Sequence, residues 1–176
     1  MKATGIVRRI DELGRIVVPK ELRRTFRIKE GTPLEIFIGD NGDLILKKFS
    51  PVVELIDLAK EICDSIYETM NCTVLIFDNE KFVSGTGTNS KQYINTEISY
   101  QLEKVVQNRQ NVIRTNMDLI KINDFDNETQ SQLISPIICN GDVIGGVLLL
   151  SKTQNFMQED IKIVKTMVNF LVKQIS

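Results

Sequence analysis

The sequence contains no histidine and no tryptophan. Ser-His-Asp and Cys-His catalysis, histidine metal sites and histidine phosphorelay all need an imidazole, so these classes of function are excluded. The three cysteines, Cys63, Cys72 and Cys139, are odd in number and show no Cys-x-x-Cys spacing, which supports neither a disulfide framework nor a zinc site. Each lies among apolar residues, as small core side chains do. We therefore expect no metal and no cofactor.

Long apolar segments are also missing. No run of about 18 apolar residues occurs, and the residues after Met1 do not form the apolar core of a signal peptide. We expect a cytoplasmic protein without membrane contact. Carboxylate catalysis stays open through Asp124, Asp126 and Glu128, but these acids lie in an Asn- and Asp-rich turn typical of a solvated loop. We therefore expect no catalytic residues and no enzymatic activity.

Positive charge is concentrated at the start of the chain. Residues 1–48 carry 11 Lys and Arg against 7 Asp and Glu, whereas residues 49–176 carry 11 against 16, although the net charge is only −1. Five arginines lie within seventeen residues: Arg8, Arg9, Arg15, Arg23 and Arg24. A guanidinium presents a planar fork of donors that suits phosphates and guanine edges. This segment is therefore a candidate DNA-binding surface.

Two strand pairs and a short helix are predicted in the same segment. The strands are expected at 6–10, 15–18, 33–38 and 44–48, and the helix at 19–26. The second pair surrounds Asn41-Gly42, a strong hairpin signal. About fifty residues are too few to bury a stable core alone. Two copies that interleave their hairpins would share one core and pair their strand edges, which predicts a homodimer.

The run from Gly5 to Arg24, with Asp11-Glu12-Leu13-Gly14-Arg15 inside it and Pro33–Phe37 after it, resembles the AbrB-type swapped-hairpin transcription regulators. This resemblance implies a domain-swapped dimer that binds double-stranded DNA without a conventional recognition helix. The arginines that match the family's DNA contacts are Arg8, Arg15, Arg23 and Arg24, with Arg9 and Lys2 as weaker matches. A surface ion pair of Arg8 or Arg24 with Asp11 or Glu21 is the alternative for those arginines.

Amphipathic helices are predicted on both sides of the rest of the chain. Ser50-Pro51 is a good helix start, and apolar residues recur at spacings of three and four up to Met70. The last segment shows the same spacing: Met157, Ile161, Val164, Val168, Leu171 and Ile175, with Ile163, Met167 and Phe170 beside it. Either these helices only cover their own sheet, or they also pack across a subunit interface.

A sheet is predicted between these helices. Strands are expected at 72–77, 81–84, 112–115, 132–139 and 143–151, and a helix at 95–108 capped by Thr96 or Asn95. Asn140-Gly141 predicts a tight hairpin between the last two strands. The sequence therefore predicts an α+β protein, with a swapped-hairpin domain at 1–52 and an antiparallel sheet with packed helices at 53–176.

The order of elements and the run Pro136–Val147 resemble a GAF domain, a small-molecule sensor family. The cyclic-nucleotide signature is absent, because Ser90 separates Asn89 from Lys91. We expect an effector site lined by the following residues: Phe82, Ser84, Thr86, Thr88, Tyr93, Asp118 and Asn123. The run Gly85–Thr88 either supplies backbone donors to an anion or forms a simple glycine turn.

These observations predict a sequence-specific DNA-binding transcription regulator that is not an enzyme. The whole length is similar to a sporulation regulator of the AbrB type with a GAF-like second domain. That resemblance implies activation and repression of genes during spore formation by a homotetramer. Two alternatives stay open: an antitoxin-type DNA-binding protein of a toxin–antitoxin pair, and a GAF-like domain with enzymatic activity such as sulfoxide reduction.

Overall fold

The computed structural model describes residues 4–123 and 129–175, so Lys2, Asp124, Asp126 and Glu128 lie outside the described residues. The chain divides into two compact units, Met1–Phe49 and Ser50–Ser176. This division lies three residues before the boundary expected from the sequence. Within the described ranges, no helix combines the length and apolar character that a membrane span needs.

The described residues of the first unit form one helix and one hairpin. Helix α1 spans Lys20–Thr25, and Pro19 precedes it, as expected for a residue whose fixed φ suits a helix start. Strands β1 (Leu34–Ile38) and β2 (Leu44–Lys48) pair in antiparallel fashion, with Ile36 opposite Leu46. Gly42 occupies the left-handed region at φ 77° in their connection. The second predicted hairpin is therefore confirmed.

The first predicted hairpin is wrong for a single chain. Residues 6–10 and 15–18 form no strand, although the turn between them is present. The Asp11 N–H donates to the Arg15 carbonyl at 3.1 Å, and the Gly14 N–H donates to the Asp11 carbonyl at 3.0 Å. A strand requires a ladder partner. Within the described part of this unit, neither segment has a strand to pair with.

Large apolar side chains of the first unit face solvent. They are Ile6, Val7, Ile10, Leu13, Ile16, Val17, Phe26, Ile36, Phe37, Ile38, Leu44, Leu46 and Phe49, with Val7 84% and Ile38 82% exposed. Among the described residues of this unit, Pro19 alone is buried. The described residues of a single first unit therefore form no hydrophobic core.

The second unit is a five-stranded antiparallel sheet with helices on both faces. Its helices are α2 (Pro51–Glu54), α3 (Ile56–Met70), α4 (Tyr100–Gln107) and α5 (Gln158–Ile175). Its strands are β3 (Thr73–Asp78), β4 (Phe82–Thr86), β5 (Val112–Thr115), β6 (Ser131–Cys139) and β7 (Asp142–Ser151). The strand order is β4-β3-β7-β6-β5. The predicted α+β class and all five predicted strands are confirmed.

Alternation along the strands builds two cores in the second unit. On one face, α3 and α5 pack residues such as Ile66 and Leu171 against Val74 and Leu149. On the other face, α4 packs Leu102, Val105 and Val106 against Leu75 and Leu148. The arrangement is a three-layer helix–sheet–helix sandwich.

Three helix predictions need correction. The helix that begins at Pro51 stops at Glu54, and α3 begins after Leu55, whose φ of −108° and ψ of 36° interrupt the helix. Helix α4 begins at Tyr100 rather than near Asn95, because the Ser99 side chain accepts a hydrogen bond from the Leu102 N–H and caps it. Helix α5 begins at Gln158, so Met157 lies before it, and both Met157 and Phe170 are exposed. Val164, Val168 and Leu171 are buried against the sheet, and the predicted Ile161, Ile163, Met167 and Ile175 are partly buried against the same core.

Candidate nucleic-acid interface and ligand cleft

The five candidate arginines all lie in the first unit and are all exposed. Arg8 and Arg9 precede the turn at residues 11–15, and Arg15 ends it. Arg23 and Arg24 lie in the last turn of α1. Exposed guanidiniums remain fully charged and keep donors available to an anionic partner. The positions of these side chains are therefore compatible with DNA contact.

Arg15 has a defined partner. Its Nε donates to Asp11 Oδ2 at 2.7 Å, while Asp11 Oδ1 accepts from the Leu13 N–H at 3.0 Å and from the Arg15 N–H at 2.8 Å. The backbone N–H and then the side chain of Arg15 hold the pKa of the Asp11 carboxyl below its usual value. Asp11 was considered from the sequence as a partner of Arg8 or Arg24. In the structure it pairs with Arg15.

The seven candidate effector residues do not form one site. Phe82 and Tyr93 share the α4 face, where their ring centroids are 5.7 Å apart. Asn123 is buried, and its Nδ2 donates to Thr96 Oγ1 at 3.5 Å. Asp118 is far more exposed, with a side chain 74% accessible and paired to Arg114 at 2.7 Å. An exposed ion pair at the surface does not line a pocket.

Ser84 and Thr86 lie on the opposite face of the sheet from Phe82. The Thr86 hydroxyl donates to Asp64 and accepts from Lys60, both on α3. Ser84 forms a hydrogen bond with the Cys63 thiol, also on α3. The sequence prediction that placed these two residues with Phe82 is therefore wrong.

The glycine run that ends β4 forms a close-packed turn. A Cβ on Gly87 would lie 2.8 Å from Thr73 Cα, and φ of Gly87 is 107°. The Thr73 hydroxyl donates to the Thr88 carbonyl at 3.0 Å. Both observations favour the simple-turn interpretation of Gly85–Thr88 over an anion site, because glycine is required here for the approach of β3.

A polar cleft of about 600 Å³ opens where β3 begins and β7 ends. Its polar lining includes Asn71, Thr73, Thr88, Asn89, Gln92 and Lys152, with Tyr93 at its inner side. Only Thr88 and Tyr93 were expected from the sequence. Asn71 and Asn89 adopt left-handed conformations at φ 48° and 60°, which asparagine tolerates better than most residues. Asn71 and Asn89 are the residues in the sequence that could have indicated this cleft.

The cysteines do not form an activated thiol site. Burial raises the pKa of the Cys63 and Cys72 thiols to about 12, so both are protonated at neutral pH and are poor nucleophiles. All three cysteines are free of disulfides. The described ranges contain no cluster of three or more side chains suited to a metal ion. These observations give no support to the enzymatic alternative.

Comparisons with known proteins identify both units. The family described as "Stage V sporulation protein T C-terminal, transcription factor" matches residues 54–176, and "Antidote-toxin recognition MazE, bacterial antitoxin" matches residues 7–52. Stage V sporulation protein T of Bacillus subtilis (strain 168) is 45% identical over 175 residues, which cover 99% of this chain and 98% of that protein.

The N-terminal part has a second relative in the same organism. Transition state regulatory protein AbrB is 59% identical over 51 residues, which cover 29% of this chain and 52% of AbrB. The predicted AbrB-type resemblance is therefore confirmed for the first unit. The match to the antitoxin family ends at residue 52. Beyond it lies a folded three-layer unit rather than the short, flexible tail typical of antitoxins.

Solved structures show the fold of the second unit. A free methionine-R-sulfoxide reductase from Thermoplasma acidophilum superposes with a TM-score of 0.56 at 17% identity, covering 70% of this chain and 94% of that one. The cofactor-binding GAF domain of the nutrient sensor CodY from Clostridium difficile superposes with a TM-score of 0.52 at 11% identity, covering 66% and 83%. At these identities the likeness shows the fold alone, and that fold is GAF-like.

Proposed function

This chain belongs to the stage V sporulation protein T family, and from that membership we propose that it is a sequence-specific DNA-binding regulator of transcription that activates some sporulation genes and represses others. The full-length identity of 45% carries this proposal. A regulator of this kind works on chromosomal DNA in the cytoplasm and does not need catalytic residues. Chromatin immunoprecipitation with sequencing in sporulating cells tests it. Discrete enriched sites beside genes that change on deletion support it, and uniform signal along the chromosome contradicts it.

The first unit supports a homodimer through residues 1–52. One copy leaves thirteen large apolar side chains exposed and leaves residues 6–10 and 15–18 without a strand partner. A second copy satisfies both needs, since interleaved hairpins bury the apolar side chains and pair the strand edges. Dimerisation also doubles the basic surface, which suits a two-fold DNA site.

The DNA contacts that we propose are Arg8, Arg15, Arg23 and Arg24, with Arg9 and Lys2 in a lesser role. The four described matches are exposed, and the first unit carries an excess of positive charge whereas the rest of the chain carries an excess of negative charge. Guanidiniums bind phosphate oxygens and guanine edges bidentately. Phosphate contacts would position the dimer, and base contacts would select the operator.

The second unit supports a further association that makes a tetramer. Val53 on α2, Ile56 at the start of α3, Met157 just before α5 and Phe170 on α5 remain exposed although α3 and α5 already cover the sheet. Because α3 and α5 pack on the same face of the sheet, the exposed Ile56 and Phe170 favour helix packing between subunits. A tetramer carries two DNA-binding dimers, so its second DNA contact is intramolecular.

Replacing both Ile56 and Phe170 by glutamate should convert the tetramer into a dimer. Charged side chains at this face would be desolvated on association, which disfavours it. Affinity for DNA with one site should stay close to that of the unchanged protein, whereas affinity for DNA with two sites should fall about 100-fold. Light scattering and binding to the two DNAs measure this. Tyr100→Glu, an exposed change on α4, is the control, and an unchanged tetramer in the double variant would contradict the proposed interface.

We also propose the cleft at the start of β3 as the site of a small polar effector. Amide, hydroxyl and ammonium groups line it, and Tyr93 provides an apolar inner side whose ring packs on Phe82. The GAF-like fold is compatible with such a ligand.

A thermal-shift screen of amino acids, nucleotides and sugar phosphates tests this site. At least one compound should raise the Tm of the protein. Thr73→Phe should fill the cleft and remove that shift, whereas Thr69→Phe, at an exposed position of α3, should keep it. An equal shift in both variants would contradict this site.

A further inference from the structure

The carboxylate of Asp11 performs two tasks in the turn at residues 11–15. Oδ1 accepts from the Leu13 and Arg15 N–H groups and closes the turn. Oδ2 accepts from Arg15 Nε at 2.7 Å. The backbone and the side chain of Arg15 are thus held by one group. Arg15 is thereby fixed relative to the turn that carries it.

This contact leaves the distal edge of the guanidinium available. A guanidinium has five N–H donors, and the Asp11 contact uses the Nε donor at its inner edge. Bidentate recognition of guanine O6 and N7, or of two phosphate oxygens, uses two donors of the planar fork. The Arg15 side chain is 71% exposed, so its outer donors face solvent. An exposed ion pair adds little to stability, and its effect is therefore expected in the placement of Arg15.

We infer that Asp11 is a positioning residue for DNA recognition, which orients Arg15 toward a pair of acceptor atoms on the DNA. This inference rests on the proposed function, because it requires that Arg15 contacts DNA. The acceptor pair is either the O6 and N7 atoms of a guanine or two oxygens of a phosphate. Orientation before binding lowers the entropy lost when the long arginine side chain is ordered at the interface.

The direction in which DNA affinity changes when Asp11 is replaced distinguishes a positioning role from a simple charge effect. DNA is a polyanion, so removal of a nearby carboxylate strengthens binding if charge alone matters. Removal of a positioning group weakens binding instead. Asp11→Asn and Glu12→Gln each remove one negative charge at adjacent exposed positions, and they form a matched pair. The inference predicts weaker binding for Asp11→Asn and equal or tighter binding for Glu12→Gln.

Asp11→Asn is also conservative for the turn. Its amide oxygen can accept from the Leu13 and Arg15 N–H groups, as asparagine does in turns of this type. The remaining amide nitrogen is a donor and cannot accept from Arg15 Nε. If this variant does not fold, Asp11→Ser replaces it, since a serine hydroxyl also closes such turns without a carboxylate.

Fluorescence anisotropy tests the inference by measuring the affinity of each variant for two DNAs. One is an operator identified by chromatin immunoprecipitation, and the other is a duplex of scrambled sequence. Asp11→Asn should weaken operator binding about tenfold, which is within the range for loss of one arginine contact. Glu12→Gln should bind at least as tightly as the unchanged protein. Arg15→Ala should weaken binding, and Asp11→Asn added to Arg15→Ala should weaken it no further, because Asp11 acts through Arg15.

The outcomes are distinguishable. If Arg15→Ala binds normally, the proposed DNA contact of Arg15 is wrong. If Arg15→Ala is weak while Asp11→Asn binds as tightly as Glu12→Gln, the DNA contact stands and the positioning role is overturned. When Asp11→Asn weakens binding, 7-deazaguanine in the operator identifies the acceptor. If the acceptor is a guanine, Asp11→Asn should lose less affinity on the operator that contains 7-deazaguanine than on the ordinary operator. If the acceptor is a phosphate, Asp11→Asn should lose the same affinity on the ordinary operator, the substituted operator and the scrambled duplex.

Discussion

Operator binding should fall by about a thousandfold or more when Arg8, Arg15, Arg23 and Arg24 are all replaced by alanine. Each such contact contributes about 1 to 3 kcal/mol, and even the lower end summed over four contacts reaches this factor. The fold and the oligomer should persist, because all four side chains are exposed and none belongs to the core. Gel shift measures operator binding, light scattering measures the oligomeric state, and circular dichroism measures the fold.

The matched control for this variant removes four positive charges from the second unit. Lys91, Lys162, Lys165 and Lys173 are exposed there, and their replacement by alanine changes net charge equally. Binding by the control should remain within a few-fold of the unchanged protein. Log affinity of the unchanged protein should also fall linearly with log salt, with a slope of about −0.9 per phosphate contacted. The arginine variant should show a much shallower slope. Equal losses of affinity in the arginine and lysine variants would contradict DNA binding by the arginines of the first unit.

Replacing Gly145 by alanine should destabilise the second unit by about 3 kcal/mol or more. A Cβ at this position of β7 would lie 2.1 Å from the Phe77 carbonyl oxygen and 3.0 Å from Asp78 Cα, both on β3. Backbone of a central strand cannot move aside as a flexible side chain can. Urea unfolding followed by circular dichroism measures the loss, and a folded variant of unchanged midpoint would contradict the tight approach of β3 and β7.

Gly141→Ala provides the comparison within the same hairpin. Gly141 also has a positive φ, of 86°, but no atom lies within 4 Å of an added Cβ. Its replacement should therefore cost only the left-handed strain, about 1 kcal/mol. The difference between the two variants measures the steric contact with β3. It also separates that contact from the general cost of replacing glycine in a hairpin.

Local pattern predicted most of the secondary structure. Strands β5 and β2 have the expected bounds, and the Asn-Gly pairs at 41–42 and 140–141 lie in the predicted hairpins. These features depend on neighbouring residues, which a single sequence displays directly. The start of α4 was less predictable, because Ser99 competes with Asn95 as a cap. Asn95 instead adopts φ 66° in the segment before the helix.

The placement of Ser84 and Thr86 in the candidate effector site was less predictable because of an irregularity in the pairing of β3 with β4. Strand alternation would place Phe82 and Ser84 on one face. The register of β3 and β4 shifts between Ile76 and Phe77, so Phe77 pairs with Phe82 while Ile76 pairs with Ser84. The extra residue turns Ser84 and Thr86 toward α3. No feature of the local sequence indicates such a bulge, and one shifted residue reverses the face of every residue beyond it.

By itself, the sequence determined the excess of arginine at the start of the chain, the periodicities of its strands and helices, and the exclusion of histidine-based catalysis. These are properties of composition and of neighbouring residues. The tertiary structure alone decided which acid holds Arg15, which face of the sheet each β4 residue occupies, and where the polar cleft opens. Those features depend on which segments meet in space. Strand register and the close approach of chain segments distant in sequence decide that, through packing contacts that no local pattern encodes.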